Sequence, residues 1–152
     1  MRVWVHRRVG RPGIAPRRLK QIVAAALRRE HAPEGTAVSV VLVDDPAIRR
    51  LNRRFLRRDR ATDVLAFPMN NAASGKSAPP RSRILGEVVI SIDRARAQAR
   101  RAGHSVRAEV ALLAVHGVLH LTGYEDHSAA QFARMDRRQR QILREIGEEV
   151  RG

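Results

Sequence analysis

Apolar positions along the chain recur in two periods, about every second residue in short runs and three to four residues apart in longer ones. Val3-Trp4-Val5 alternates with Arg2 and His6, the pattern of an edge strand. Pro12 and Gly13 break the chain, and Pro16 stands where a helix can begin. Leu19, Ile22, Val23, Ala26 and Leu27 then keep helical spacing with arginines on the other face, up to a stop at Pro33 to Gly35. Ala37 to Val43 is β-branched and almost wholly apolar, which predicts a central strand. Asp44-Asp45-Pro46 caps a helix running through Ile48, Leu51, Asn52 and Phe55, and Thr62 to Pro68 returns as a short strand stopped by proline.

Residues 70–83, rich in Asn, Pro and Ser, predict a flexible loop. Ile84 to Ile92 reads as a second buried strand, and Asp93 as the cap of a helix from Arg94 to Ala102. Gly103-His104-Ser105 breaks that helix and places His104 in a surface loop. Ser105, with Glu109 nearby, opens a long helix whose run Val110 to Val115 contains no breaker. Ser128 caps a last helix to about Val150, with Phe132, Met135, Ile142, Leu143 and Ile146 on its apolar side. Strands separated by helices, with no repeat or composition break, predict one α/β (α+β) domain over residues 1–152, a small mixed central sheet packed by helices.

Charge adds a partner class to this picture. Thirty basic residues stand against fifteen acidic ones for a net charge of +15, and nearly all the basic residues are arginine, whose planar fork suits phosphate. The densest segment, Arg49 to Arg60, holds seven arginines and one aspartate, either a solvated helix face or a phosphate-contacting patch. Having no cysteine excludes disulfide scaffolds and thiolate zinc fingers and fits a reducing compartment. No run approaches the roughly 20 apolar residues that span a bilayer, and the first residues lack a signal-peptide core, so no membrane partner and a cytoplasmic location are expected.

Candidate chemistry is concentrated in His116-Gly-Val-Leu-His120-Leu-Thr-Gly123-Tyr-Glu-Asp126-His127, which contains three of the six histidines. Residues i and i+4 of a helix differ by about 40° in direction, so His116 and His120 leave one face together. Gly123 can take positive φ and turn the chain so that a third ligand, Asp126 or His127, approaches. Two core histidines with satisfied hydrogen bonds are the simpler explanation of such a pair, but the turn and the following ligand types favour metal. Nitrogen and carboxylate ligands without thiolate, with one position left open, describe a catalytic site for one Zn²⁺. The metalloprotease pattern places a glutamate directly after the first histidine; this chain has Gly117 there, which favours phosphodiester over peptide hydrolysis.

The histidine segment, together with Thr62-Asp-Val-Leu-Ala-Phe-Pro68 and Leu85-Gly-Glu-Val-Val-Ile-Ser-Ile-Asp93, resembles the YbeY family of bacterial endoribonucleases over about residues 37–146. The resemblance implies a zinc-dependent, single-strand-specific endoribonuclease of ribosomal RNA processing. It also implies 3′-end maturation of 16S rRNA, a role in ribosome quality control and the small ribosomal subunit as partner. Two positions depart from the family pattern. The third ligand position falls on Asp126 by spacing and on His127 by side-chain type. Leu56 stands where an arginine is common, so Arg57 or Arg58 becomes the candidate catalytic arginine, and Arg53, Arg54, Arg57, Arg58 and Arg60 the candidate phosphate contacts. An RNA-binding or ribosome-associated factor with a non-catalytic metal, or a zinc hydrolase of peptides, are the alternatives.

Overall fold

A computed structural model of the chain describes residues 1–69 and 84–151; the loop expected over 70–83 lies outside the described residues. The apolar runs assemble one sheet. Strands β1 (Arg2–Arg7), β2 (Ala37–Val43), β3 (Val64–Pro68) and β4 (Ile84–Ser91) lie in the order β1-β2-β4-β3. β1 pairs with β2 and β2 with β4 in parallel, while β3 runs antiparallel along β4. β2, flanked on both sides, is buried at every residue except Ser39, whereas β1 is the expected edge.

Because side chains alternate across a strand, the sheet divides the core in two. Val38, Val40, Leu42, Val88 and Ile90 face a layer made by α1 (Pro16–Arg29), α3 (Ile92–Ala102), α4 (Val106–Leu121) and α5 (Ala129–Glu145). Val41, Val43, Val89 and Leu65 face the other way, under Ile48 of α2 (Asp45–Leu56). The result is a single-domain α/β structure of three layers, with one helix on one side of a mixed sheet and four on the other.

α4 sets the geometry of the molecule. From Ala108 to Leu121 it is buried at every residue except Leu112, His116 and His120, which are spaced four apart and form one narrow stripe. Gly117 lies on the sheet side of the helix, where an added Cβ would stand 2.5 Å from Val88 Cγ1. A side chain there would push α4 off the strand, so the glycine is what allows the histidine-bearing turn to sit directly on β4.

Four local expectations are corrected. The cap of α3 is Ser91, not Asp93: the Ser91 hydroxyl accepts from the Arg94 N–H, while Asp93 Oδ2 accepts the N–H of Asp45. The strand therefore ends at Ser91 and passes into the helix without a connecting loop. α5 stops at Glu145, where Gly147 takes φ 85°, and Phe132 is 57% exposed, not on the apolar side. His104 is not a surface residue: its side chain is 3% exposed and its Nε2 lies 2.7 Å from Glu109 Oε1. The N–H of Arg151 donates to His104 Nδ1, so Nε2 carries the proton given to Glu109.

In an exposed helix interior, glycine to alanine stabilises by about 1 kcal/mol. Here the contact with a β-branched, immobile Val88 reverses the sign, and Gly117→Ala destabilises the fold by about 1–3 kcal/mol in denaturant melts. In a Val88→Ala background the same change becomes neutral or stabilising; a penalty unchanged by Val88→Ala would mean that the contact is not its cause.

Candidate metal centre

His116 and His120 emerge from the last two turns of α4, and α4 then ends at Thr122. Gly123 takes φ 110°, a conformation that other residues rarely adopt, and the chain turns back toward the helix it has left. The far side of the turn is tied down by a capping box: the N–H groups of His127 and Ser128 donate to Gln131 Oε1, and Ser128 Oγ accepts from Gln131 N–H. Between these two fixed ends Asp126 comes into range of the histidines.

The Nε2 atoms of His116 and His120 are 3.0 Å apart, and Asp126 Oδ2 lies 3.8 Å and 3.5 Å from them. Nearest-neighbour donors in a tetrahedral zinc site with bonds of about 2.0–2.1 Å are separated by about 3.3 Å, so this triangle is close to a ligand set. Among the described residues this is the group of His, Asp and Glu side chains whose donor atoms converge in this way, and His127, whose side chain is exposed, is not part of it.

Tautomers follow from the surrounding hydrogen bonds. The Gln139 amide nitrogen donates to Asp136 Oδ1, which turns the amide oxygen toward His116 Nδ1 at 2.9 Å. That oxygen can only accept, so His116 carries its proton on Nδ1 and leaves the Nε2 lone pair free. The His120 Nδ1 proton is likewise taken by the carbonyl of Tyr124 at 3.0 Å. Tyr124 is itself anchored, with its hydroxyl on Glu30, and Glu30 is held by Arg138 at 2.6 Å. Two imidazole lone pairs and a carboxylate oxygen therefore point at one another, which is repulsive on its own and is relieved by a cation between them. The residues fit a divalent metal, and each histidine has the hydrogen-bonded partner that metal-binding imidazoles keep on their second nitrogen.

Burial holds the His116 pKa below the usual histidine value; its hydrogen bond to Gln139 opposes this, His120 adds to it, and Asp63 and Asp126 partly offset it. His116 is thus kept neutral, the form that ligates metal.

Gln139 and Asp63 are the site residues that the sequence reading missed. Gln139 had a signal: it is a polar residue buried among Met135, Ile142 and Leu143 on the inner face of α5. Asp63 immediately precedes β3; its Oδ1 accepts from the Val64 N–H and its Oδ2 from Gln98 Nε2.

The arginine run lies elsewhere. Arg53 and Arg54 belong to α2, in the layer across the sheet from the histidines. Leu56 ends α2 at 48% exposure, and Arg57 follows in a left-handed conformation with φ 56°. Arg57 and Arg58 are exposed, and Arg60 leads through Asp63 into β3, toward the metal side. No described helix is long and apolar enough to cross a membrane.

With this geometry in place, comparisons show what the chain is similar to. The family model described as Endoribonuclease YbeY matches residues 14–147. A Moorella thermoacetica protein named Endoribonuclease YbeY is 41% identical over 132 residues, 85% of each chain. A Geobacillus thermodenitrificans protein of the same name is 38% identical over 135 residues, again 85% of each. A Thermotoga maritima protein solved in solution superposes with a TM-score of 0.60 at 25% identity, covering 95% of this chain and 91% of its own.

Asp126→Ala lowers zinc affinity more than about 100-fold in a competition titration with a chelator, beyond the effect of losing a supporting hydrogen bond, whereas His127→Ala leaves it within a few-fold; the reverse ranking would overturn the choice of ligand. In the metal-free protein, an unfolded imidazole takes up a proton as pH falls below about 6.5, while His116 in the fold resists it. Stability is therefore lost on acidification. Melts at pH 7.5 and pH 5.5 should show a larger loss for wild type than for His116→Gln, and equal losses would contradict the assignment.

Proposed function

The chain belongs to the YbeY family of endoribonucleases, and from that membership we propose that it is a metal-dependent hydrolase of RNA phosphodiester bonds. The observation that carries the reading is the convergence of His116 Nε2, His120 Nε2 and Asp126 Oδ2 at the open end of a buried helix. We assign the ion as a single Zn²⁺, because the donors are two neutral imidazoles and a carboxylate, with room for a fourth ligand. When bound, such an ion stabilises charge on a phosphoryl oxygen and makes water a better nucleophile.

The chain's own residues supply the rest. Gln139 and the Tyr124 carbonyl lock the two rings so that only their Nε2 atoms face the substrate side. Burial keeps His116 unprotonated, so the ligand set survives at neutral pH. Gly117 is pressed against Val88, and a glutamate at this position would have no room. The general base of the peptide-cleaving zinc enzymes is therefore missing for a steric reason, which disfavours a peptide substrate. In RNA the 2′-OH or a solvent water can serve as nucleophile, with arginines neutralising the phosphate. Arg57 and Arg58 are the candidates for contact near the scissile bond, and Arg53, Arg54 and Arg60 for phosphates farther along the strand.

The finer assignment is single-stranded ribosomal RNA, with 3′-end maturation of 16S rRNA and ribosome quality control as the setting, the small subunit as partner and the cytoplasm as location. One observation favours the binding-factor alternative: Leu56 leaves an exposed alkyl group where an arginine was expected. Zinc-loaded protein incubated with single-stranded 16S 3′-end fragments is expected to cleave them, with His116→Ala and Asp126→Ala each reduced at least 100-fold in kcat/KM. Tight binding with no cleavage would support the factor instead, and cleavage surviving in His116→Ala would mean that this centre is not the catalyst.

A further inference from the structure

The sheet contains a second feature that the metal centre does not use. β2 and β4 are parallel neighbours, yet β2 leads into α2 on one face and β4 into α3 on the other. Where neighbouring parallel strands send their connections to opposite faces, a crevice opens beyond their carboxyl ends, and open α/β sheets bind ligands there. In this chain the crevice is a cavity of about 700 Å³ whose lining includes Arg49, Arg50, Arg53, Arg60 and Arg94 against two carboxylates. A neighbouring cavity of about 630 Å³ on the other flank of α2 shares Arg50 and Arg53 and adds Arg8 and Arg54.

Most of this charge is uncompensated. Asp59 is taken up by Arg49 at 2.8 Å and Asp45 by Arg94 at 3.4 Å, with Asp45 also accepting from Ser91 Oγ at 2.6 Å. Arg50, Arg53 and Arg60 have no side-chain hydrogen bond or ion pair among the described residues. The amides at the starts of α2 and α3 are already capped, by Asp44 and Asp93 on α2 and by Ser91 on α3, so an anion here would meet guanidinium groups and not free N–H groups.

The cleft is joined to the metal centre by the chain. Arg60 and Ala61 line it, and two residues later Asp63 lies within electrostatic reach of His116. Along β4, the position under α4 is Val88 and the strand ends at Ser91, an offset of about 10 Å at roughly 3.3 Å per residue.

We propose that this switch-point cleft is an exosite for single-stranded RNA, gripping phosphates of the strand whose scissile bond lies at the metal centre and reading no base. The inference rests on the endoribonuclease reading and adds a second point of attachment to it. Each phosphate neutralised on a single strand contributes about 0.7 to the slope of log affinity against log salt. Zinc-loaded Arg50→Ala/Arg53→Ala is therefore expected to bind a labelled 2′-O-methyl 20-mer with a slope about 1.4 smaller than wild type. Its affinity should be at least tenfold weaker at 0.1 M salt, while a dinucleotide, too short to span both sites, changes less than twofold.

Arg50→Lys, which keeps the charge, should retain the wild-type slope and controls for damage to the fold. An unchanged 20-mer slope in the double variant, equal losses for both lengths, or competition by polyglutamate as effective as that by RNA would each overturn the exosite, the last in favour of an acidic protein partner. Failure of the nuclease reading is separate: wild type would then bind unmodified RNA without cutting it.

Discussion

The close approach of α4 to β4, made possible by Gly117 over Val88, is the constraint on which the rest of the molecule depends. It draws an almost wholly apolar helix into the middle of the larger layer, with α1, α3 and α5 around it. What remains outside the core is the stripe Leu112, His116, His120. The packing that stabilises the fold therefore also fixes the direction of both imidazoles, without strain at the site. A substituent on Gly117 would move the histidines as a unit, so core and centre cannot be varied independently.

Around that helix, supports are recruited from distant parts of the chain. Gln139 comes from α5, while Glu30 lies just beyond α1 and holds Tyr124 at the turn after α4. The C-terminal turn is tied back to the same core by Glu148, whose side chain is 1% exposed and bridges Arg18 at 2.8 Å and Arg107 at 3.4 Å. The excess positive charge has the opposite character: it lies mainly at the surface, and one dense run of it follows α2 and the loop after it. The candidate metal ligands and the arginine-rich cleft thus occupy different ends and faces of one sheet, joined by the loop from Arg57 to Asp63.

Much of this was readable in the sequence because it is local or periodic. The central position of β2 follows from its unbroken apolar run, and the pairing of His116 with His120 follows from helical geometry. The left-handed turn at Gly123 follows from the residue type. What was not readable depends on tertiary packing. Nothing in Ile84 to Asp93 shows that the strand becomes a helix at Ser91, because no breaker separates the two. His104 looks like a loop histidine until Glu109, one turn into α4, is seen to cover it. Phe132 has the spacing of an inward residue, yet it lies in the first turn of α5, where no described element covers it. The most consequential case is the arginine run: composition leaves it as either a solvated helix face or a phosphate-contacting patch, and only the sheet order reveals that α2 lies across the sheet from the histidines.

Whether α4 and the turn after it deliver His116, His120 and Asp126 to a single ion decides how the site works. Anomalous diffraction at the zinc edge from crystals of metal-loaded protein tests it most directly. One ion is expected, bonded to Nε2 of both histidines and to one Asp126 oxygen at about 2.0–2.2 Å, with the Nδ1 atoms still on Gln139 and the Tyr124 carbonyl. An ion bonded to His127, or one held through Nδ1 of either helix histidine, would contradict it.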